Sequence, residues 1–204
     1  MARDTNRGAA AGRPARGQAM TEALHRAVQE LLEEVGYRAL TIEGVAVRSG
    51  VAKTSIYRRW SSKAEMVFDL MLHSSADLPD LDDRGSLAGD IEALAARIVA
   101  LVAGPLGSRI FPGLICDAAA DPALMQRFRA SVVADGRDQI AQVLERSVRR
   151  GDLTDVSAAA DLQAVLIGAA LMFPLFRPDL DEATLRDKIT DLAMAVVEQR
   201  RNPP

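Results

Sequence analysis

Residues 41–60 read TIEGVAVRSGVAKTSIYRRW, Thr41 to Trp60. Thr41 has the side chain of a helix N-cap, and Glu43 in the first turn complements the helix dipole. A short helix runs from there to about Ser49. Gly50 breaks it, supplying the positive φ that a tight turn demands at least steric strain. A second short helix covers roughly Ala52 to Arg59. Ala46 is small enough for the second helix to cross the first closely, and Val45, Val51 and Ile56 are spaced to face inward and lock the two together. Small residue, glycine turn and apolar locks in this order predict a helix-turn-helix, whose second helix lies in the DNA major groove.

The second helix carries suitable chemistry. Lys53, Thr54, Ser55, Tyr57, Arg58 and Arg59 place cations, hydroxyls and a phenol within seven positions. Such groups are the usual partners of phosphates and base edges. Ser61, Ser62 and Lys63 follow at the start of the next helix, where backbone N–H groups also attract phosphate. The plainer reading is a helical hairpin with a solvated basic face. The coincidence of turn, locks and basic helix favours DNA binding over it.

Outward from this motif the chain divides. Residues 1–19 are rich in Gly, Ala and Arg without a hydrophobic period, and read as a disordered basic arm. Leu24, Ala27, Val28, Leu31, Leu32 and Val35 recur at helical spacing up to Gly36. The helix after Ser62 holds Met66, Val67, Leu70 and Met71. A head of residues 20–75 thus precedes the acidic stretch LPDLDDRGS, and residues 78–204 form a second, helical unit. In it, Ile91 to Val102 form a stripe ended by Gly104-Pro105. Ile110 to Ala119 form a shorter piece interrupted near Pro112. Asp121-Pro122 opens a long segment ending at Gly151, with the Asp as cap and the Pro in the first turn. Two last helices cover about 157–174 and 181–200. No alternating strand pattern of useful length occurs, so the fold class is all-α.

Bulk properties set the frame. The 204 residues are 49% hydrophobic and only 4% aromatic, with a net charge of −3. Residues 1–75 carry 11 Lys/Arg against 8 Asp/Glu and residues 76–204 carry 14 against 20, so a mildly basic head sits on an acidic body. The single cysteine, Cys116, excludes an intramolecular disulfide and fits a reducing cytoplasm. Arg3, Arg7, Arg13 and Arg16 are followed by no apolar segment of a signal peptide. The apolar run Ala164 to Phe176, with Gly168 and Pro174 inside it, reads as a buried helix rather than a membrane span.

The first 75 or so residues resemble the N-terminal domain of TetR-family regulators. The resemblance rests on Gly36-Tyr37, Thr41-Ile42, Ala46, Ser49-Gly50-Val51, Ser55 through Trp60, and Ser62 through Met66. It implies that Tyr57, Lys63 and Thr41 touch the DNA backbone and that Trp60 packs inside the head. Gly44 departs from it, since a bulkier residue is usual there. The resemblance also implies a helical ligand-binding and dimerisation domain from about residue 78. The expected protein is therefore a dimeric repressor that binds palindromic operator DNA and is released by a small-molecule effector. The alternative is a helical ligand-binding or protein-interaction module without DNA binding.

For dimerisation the sequence itself offers a clue. Leu162 to Phe173 is apolar or small at nearly every position, and a helix apolar all round must be covered all round. A second copy could cover one face. Leu162, Val165, Leu166, Ala169 and Ala170, with Leu192, Val196 and Val197 of the last helix, are the expected contacts of a four-helix bundle across a two-fold axis. For the effector, Phe68, Met71, Leu72, Phe111, Leu114, Met125, Phe128 and Phe173 are the candidate lining, each also at home in a plain core. Few charges interrupt these stripes, which favours an apolar effector. His25 and His73 read as surface or boundary residues and Cys116 as a small core residue. No phosphate loop, nucleophile elbow or metal-ligand cluster stands out, so neither an enzyme, a metal nor a cofactor is expected.

Overall fold

A computed structural model describes residues 16–76, 78 and 81–201. Among the described residues ten α-helices follow one another and no strand occurs. Helix α1 spans Arg16–Ala39. Its first residues belong to the stretch read as a disordered arm, because Met20 already packs on the core; residues 1–15 lie outside the described ones. Leu24, Ala27, Val28 and Leu32 form its buried stripe. Gly36, at φ 73°, breaks the helical path, and one further turn brings Tyr37 and Leu40 into the interior.

Helices α2 (Ile42–Ser49) and α3 (Lys53–Tyr57) form the helix-turn-helix. The Thr41 hydroxyl accepts from the Gly44 N–H at 3.0 Å, and Gly50 takes the left-handed conformation at φ 70°. Val45 and Ile56 are fully buried between the helices. A Cβ at Gly44 would stand 3.3 Å from the Thr41 hydroxyl, so glycine leaves that cap uncrowded. Helix α4 (Lys63–Ala76) starts with Ser62 Oγ accepting from the Glu65 N–H, while the Glu65 carboxylate accepts from the N–H and hydroxyl of Ser61.

The second unit is built from α5 (Leu87–Ile98), α6 (Gly107–Ala120), α7 (Pro122–Phe128), α8 (Ala134–Arg150), α9 (Ala159–Phe176) and α10 (Glu182–Arg201). A π-helical turn, Val99–Ala103, extends α5, and another, Arg129–Val133, joins α7 to α8. Such turns free backbone groups. Here the buried Gln163 side chain donates to the Val133 carbonyl at 2.9 Å. Asp121 caps α7 as its sequence predicts, accepting from the N–H groups of Ala123 and Leu124. Pro112 sits inside α6 without ending it.

Helix α9 packs on α8 and α10, and α10 also packs on α5. The side chains expected at a dimer contact therefore divide into two sets. Leu162, Leu166 and Ala170 of α9 and Val197 of α10 are 0–1% exposed within a single chain, because α9 packs on α8 and α10, and α10 on α9 and α5. Val165, Ala169 and Val196 remain half-buried and Leu192 exposed. Helix α9 is long and apolar enough to cross a membrane by length and composition, and it packs on α8 and α10 with 28% of its residues buried within the chain.

A polar knot closes the far end of α8. The Arg150 guanidinium donates to Asp90 at 2.6 Å, to Asp83 at 2.7 Å, to Ser147 at 2.8 Å and to Asp152 at 3.1 Å. Asp90, on α5, is 1% exposed, and its other oxygen accepts from the Arg84 N–H. The knot thereby ties the stretch before α5 to the end of α8.

Candidate DNA interface and the joint behind it

The turn at Gly50 decides what α3 shows to solvent. With Ile56 buried, Lys53, Thr54, Tyr57 and Arg58 stand exposed, and Ser55 is half-buried. Thr41, at the start of α2, is exposed beside them. The Arg58 side chain has no hydrogen bond or ion pair among the described residues, which leaves its guanidinium available to a polyanion.

The neighbouring cations are engaged. Lys53 pairs with Glu43 of α2 and lies 5.6 Å from the centroid of the Tyr57 ring. The hydrogen bond between them holds the Lys53 pKa above and the Glu43 pKa below the usual range. Arg48 bridges Glu30 and Glu34 of α1. Arg59 donates to the Thr21 hydroxyl and lies 4.9 Å from the centroid of the Trp60 ring. Trp60 is 3% exposed and packs in the head, as its position in the motif implies.

Lys63, at the start of α4, is half-buried. Its ammonium donates to the carbonyls of Tyr37 and Arg38 at 3.1 and 3.2 Å and lies 4.7 Å from the Tyr37 ring centroid. A cation over the last carbonyls of a helix satisfies orphan acceptors and the dipole together. His25, read as a surface or boundary residue, is 9% exposed, with Nε2 3.5 Å from an Asp69 oxygen and its ring 6.5 Å from that of Trp60. Its position on the buried stripe of α1 draws it in.

Behind this surface lies a joint between the head and the helical unit that the sequence does not announce. Tyr37 lies against α6 where Gly113 leaves room for it: a Cβ on Gly113 would meet the ring at 2.3 Å. One turn further along α6, Asp117 accepts the Tyr37 hydroxyl at 2.5 Å. Burial, then this hydrogen bond, push the phenol pKa far up. Arg109 of α6 donates to the Glu33 carbonyl of α1, and Arg127 of α7 pairs with Glu65 of α4. Burial alone would raise the Glu65 pKa; the hydrogen bonds from Ser61 and the Arg127 charge outweigh it and lower it.

Residues 25–70 match the family model described as bacterial regulatory proteins, tetR family, and residues 81–193 match the tetracyclin repressor-like C-terminal domain. This chain belongs to the TetR family of transcriptional regulators. It is 30% identical over 154 residues to an HTH-type transcriptional regulator of Bacillus subtilis (strain 168), YdeS, covering 72% of this chain and 77% of the relative. It is 29% identical over 177 residues to the DNA-binding transcriptional repressor TetR of Mycobacteroides abscessus, covering 86% and 85%. The crystal structure of the TetR family transcription regulator SCO0332 superposes with a TM-score of 0.68 at 30% identity, covering 87% of this chain and 97% of that one. The helix-turn-helix is therefore the DNA-binding element, and the protein is a regulator rather than an enzyme.

The effector candidates of this TetR-family regulator fall in two places. Phe68 of α4 and Phe128 of α7 touch, ring centroids 5.9 Å apart, with Arg127 5.6 Å from the Phe68 centroid. Phe111 and Leu114 of α6 are buried in the same core, and Met125 packs against it half-buried. Phe173 instead lines an open cleft of about 260 Å³ at the α9–α10 corner, with Leu180, Leu192, Arg177, Lys188 and Asp191. The side chains of Met71, Leu72 and His73 lie outside the described residues. Cys116, expected in the core, is exposed, because α6 turns its Leu114 and Ala118 side inward instead.

Proposed function

We propose that this regulator is a cytoplasmic repressor that binds a palindromic operator as a homodimer and is released by an apolar small molecule. The observation that carries the reading is the pairing of an exposed recognition surface with an uncovered apolar helix. Only 28% of α9 is buried within the chain, and Met172, Leu175, Phe176 and Leu192 are exposed at 43–73%. So large a share of apolar surface on one corner calls for a partner. A second copy across a two-fold axis would cover it through Val165, Ala169, Met172, Leu192 and Val196, and would present two recognition helices about 34 Å apart, one DNA turn.

Thr54, Ser55, Tyr57 and Arg58 are the proposed groove and backbone contacts, with Thr41 at the edge. Lys53, which is paired with Glu43, joins them. Arg59 and Lys63 act mainly by holding the head together. An effector entering among Phe68, Phe111, Leu114, Met125 and Phe128 would push α4 and α6 apart. Both helices bear on the head, α4 by continuity and α6 through Tyr37, so the push would change the separation of the two heads. By linkage, such an effector binds less well to the DNA complex.

The test is binding of the purified protein to a fluorescent duplex of its own upstream intergenic DNA, titrated across salt. Sequence-selective binding with a steep salt dependence supports the reading. Equal binding to scrambled DNA, or a monomer by sedimentation at the concentrations that bind, counts against it.

A further inference from the structure

The ion pair between Lys53 and Glu43 has a consequence for which bases are read. The two residues come from the two helices of the motif, and both side chains are about half exposed, at 49% and 57%. Thr54, Tyr57 and Arg58, which follow Lys53 in the second helix of the motif and at its end, are exposed as well. A carboxylate is a liability on a surface meant for phosphates, unless it meets a donor on a base.

We propose that Lys53 and Glu43 act as a unit that reads one G·C base pair in the major groove, with Lys53 on guanine and Glu43 on cytosine. Across its major-groove edge a G·C pair presents two acceptors, N7 and O6 of guanine, and then one donor, N4 of cytosine. O6 and N4 are themselves hydrogen-bonded neighbours, so a donor and an acceptor already in contact match their spacing. The ammonium has three donors and can span N7 and O6, while the carboxylate accepts from N4. An A·T pair presents acceptor, donor, acceptor and then a methyl group. In the same orientation the ammonium would meet the N6 donor beside N7, and the carboxylate would face the O4 acceptor and the methyl group.

The same pair is neutral as a whole, so it adds nothing to the attraction for phosphates that any sequence offers. Glu43 is in this sense a specificity-determining residue: it removes a charge from generic binding and returns it only at the right base pair. The inference rests on DNA binding by the head and is independent of the dimer and effector readings.

The experiment selects bound duplexes from a random-sequence pool with the full chain and repeats the selection with Glu43→Ala and Lys53→Ala. Sites enriched by the wild type should share a fixed G·C pair. Changing that pair to A·T should weaken wild-type binding by about tenfold, and binding by either variant by less than about twofold. On an unselected random duplex, Glu43→Ala should bind about threefold to tenfold tighter than wild type, with a log–log salt slope steeper by about one, because Lys53 is now free for a phosphate. Glu43→Gln keeps the side-chain shape without the charge and should behave alike, which separates the effect from any loss of helix. Glu145→Gln makes the same charge change on α8 and should leave generic binding unaltered. Base preferences that are the same in all proteins, or random-duplex affinity unchanged by Glu43→Ala and Glu43→Gln, overturn the proposal.

Discussion

The polar contacts within the head reach less far along the chain than those of the helical unit. In the head the caps are local: Thr41 serves Gly44, Ser62 serves Glu65, and Glu65 serves Ser61, each three or four residues away. In the helical unit the decisive polar contacts span the chain: Arg150 reaches Asp90 across 60 residues and Asp83 across 67. The joint between them is more distant still, Tyr37 to Asp117 across 80. Local caps fix single helices and can fail one at a time, whereas a distant knot sets how helices pack, and its loss is felt everywhere.

The sharpest way to break this comparison is at the knot. Arg150→Ala leaves the buried Asp90 carboxylate without its cation. Stranding a buried charge in this way costs about 3 kcal/mol. For a chain of this size that lowers Tm by roughly 10 °C. The double variant Arg150→Met with Asp90→Leu should recover most of the loss, because an apolar pair of similar bulk leaves no charge behind. A single variant that melts with the wild type would mean that the knot is ornamental.

The joint comes next. Gly113→Ala adds a methyl group where the Tyr37 ring already lies, and that ring is pinned by Asp117 at one end and by Lys63 above it. Alanine improves helix propensity by about 1 kcal/mol. Overpacking a fixed ring costs about 1–3 kcal/mol, so the net effect is a loss of about 1 kcal/mol. The more telling readout is coupling. Trp60 is the single tryptophan and sits in the head. Its fluorescence should report melting of the head below the temperature at which circular dichroism reports loss of the helices, whereas the two transitions coincide in the wild type. Coincident transitions in Gly113→Ala would show that the head is held without this contact.

What could be read in the sequence follows the same division. The helix-turn-helix, the N-caps at Thr41 and Asp121, and the glycine breaks at Gly36, Gly50 and Gly151 depend on neighbours within a turn or two, and the chain spells them out. The exposed set Thr54, Tyr57 and Arg58 follows from burying Ile56. Partners were not legible. The sequence marks Arg59 and Lys63 as cations near a recognition helix, but not that one turns to Trp60 and the other to the end of α1. Nor did the all-apolar stretch of α9 say which side its own chain would cover. Leu162, Leu166 and Ala170 differ from Val165 and Ala169 only by their angle on the helix, and that angle has meaning only once α8 and α10 are placed. Asp90 interrupts the apolar stripe of α5 and was the one available sign of the knot, without a sign of its partner.

Thr41 sharpens the comparison at its small end, because it makes a local structural contact and is also a proposed DNA contact. Thr41→Ala removes the side-chain acceptor for the Gly44 N–H and should cost about 1 kcal/mol. The loss should stay within the head: hydrogen exchange in α2 quickens while α8 to α10 keep their protection. Thr41→Ser keeps the hydroxyl and should restore both stability and exchange. DNA affinity compared with exchange separates the two roles, since serine preserves the hydroxyl and alanine removes it. If alanine weakens DNA binding far more than the small unfolded fraction of the head accounts for, the hydroxyl also touches the DNA backbone. If the affinity loss only tracks the exchange in α2, Thr41 acts on DNA solely by keeping the first helix of the motif in place.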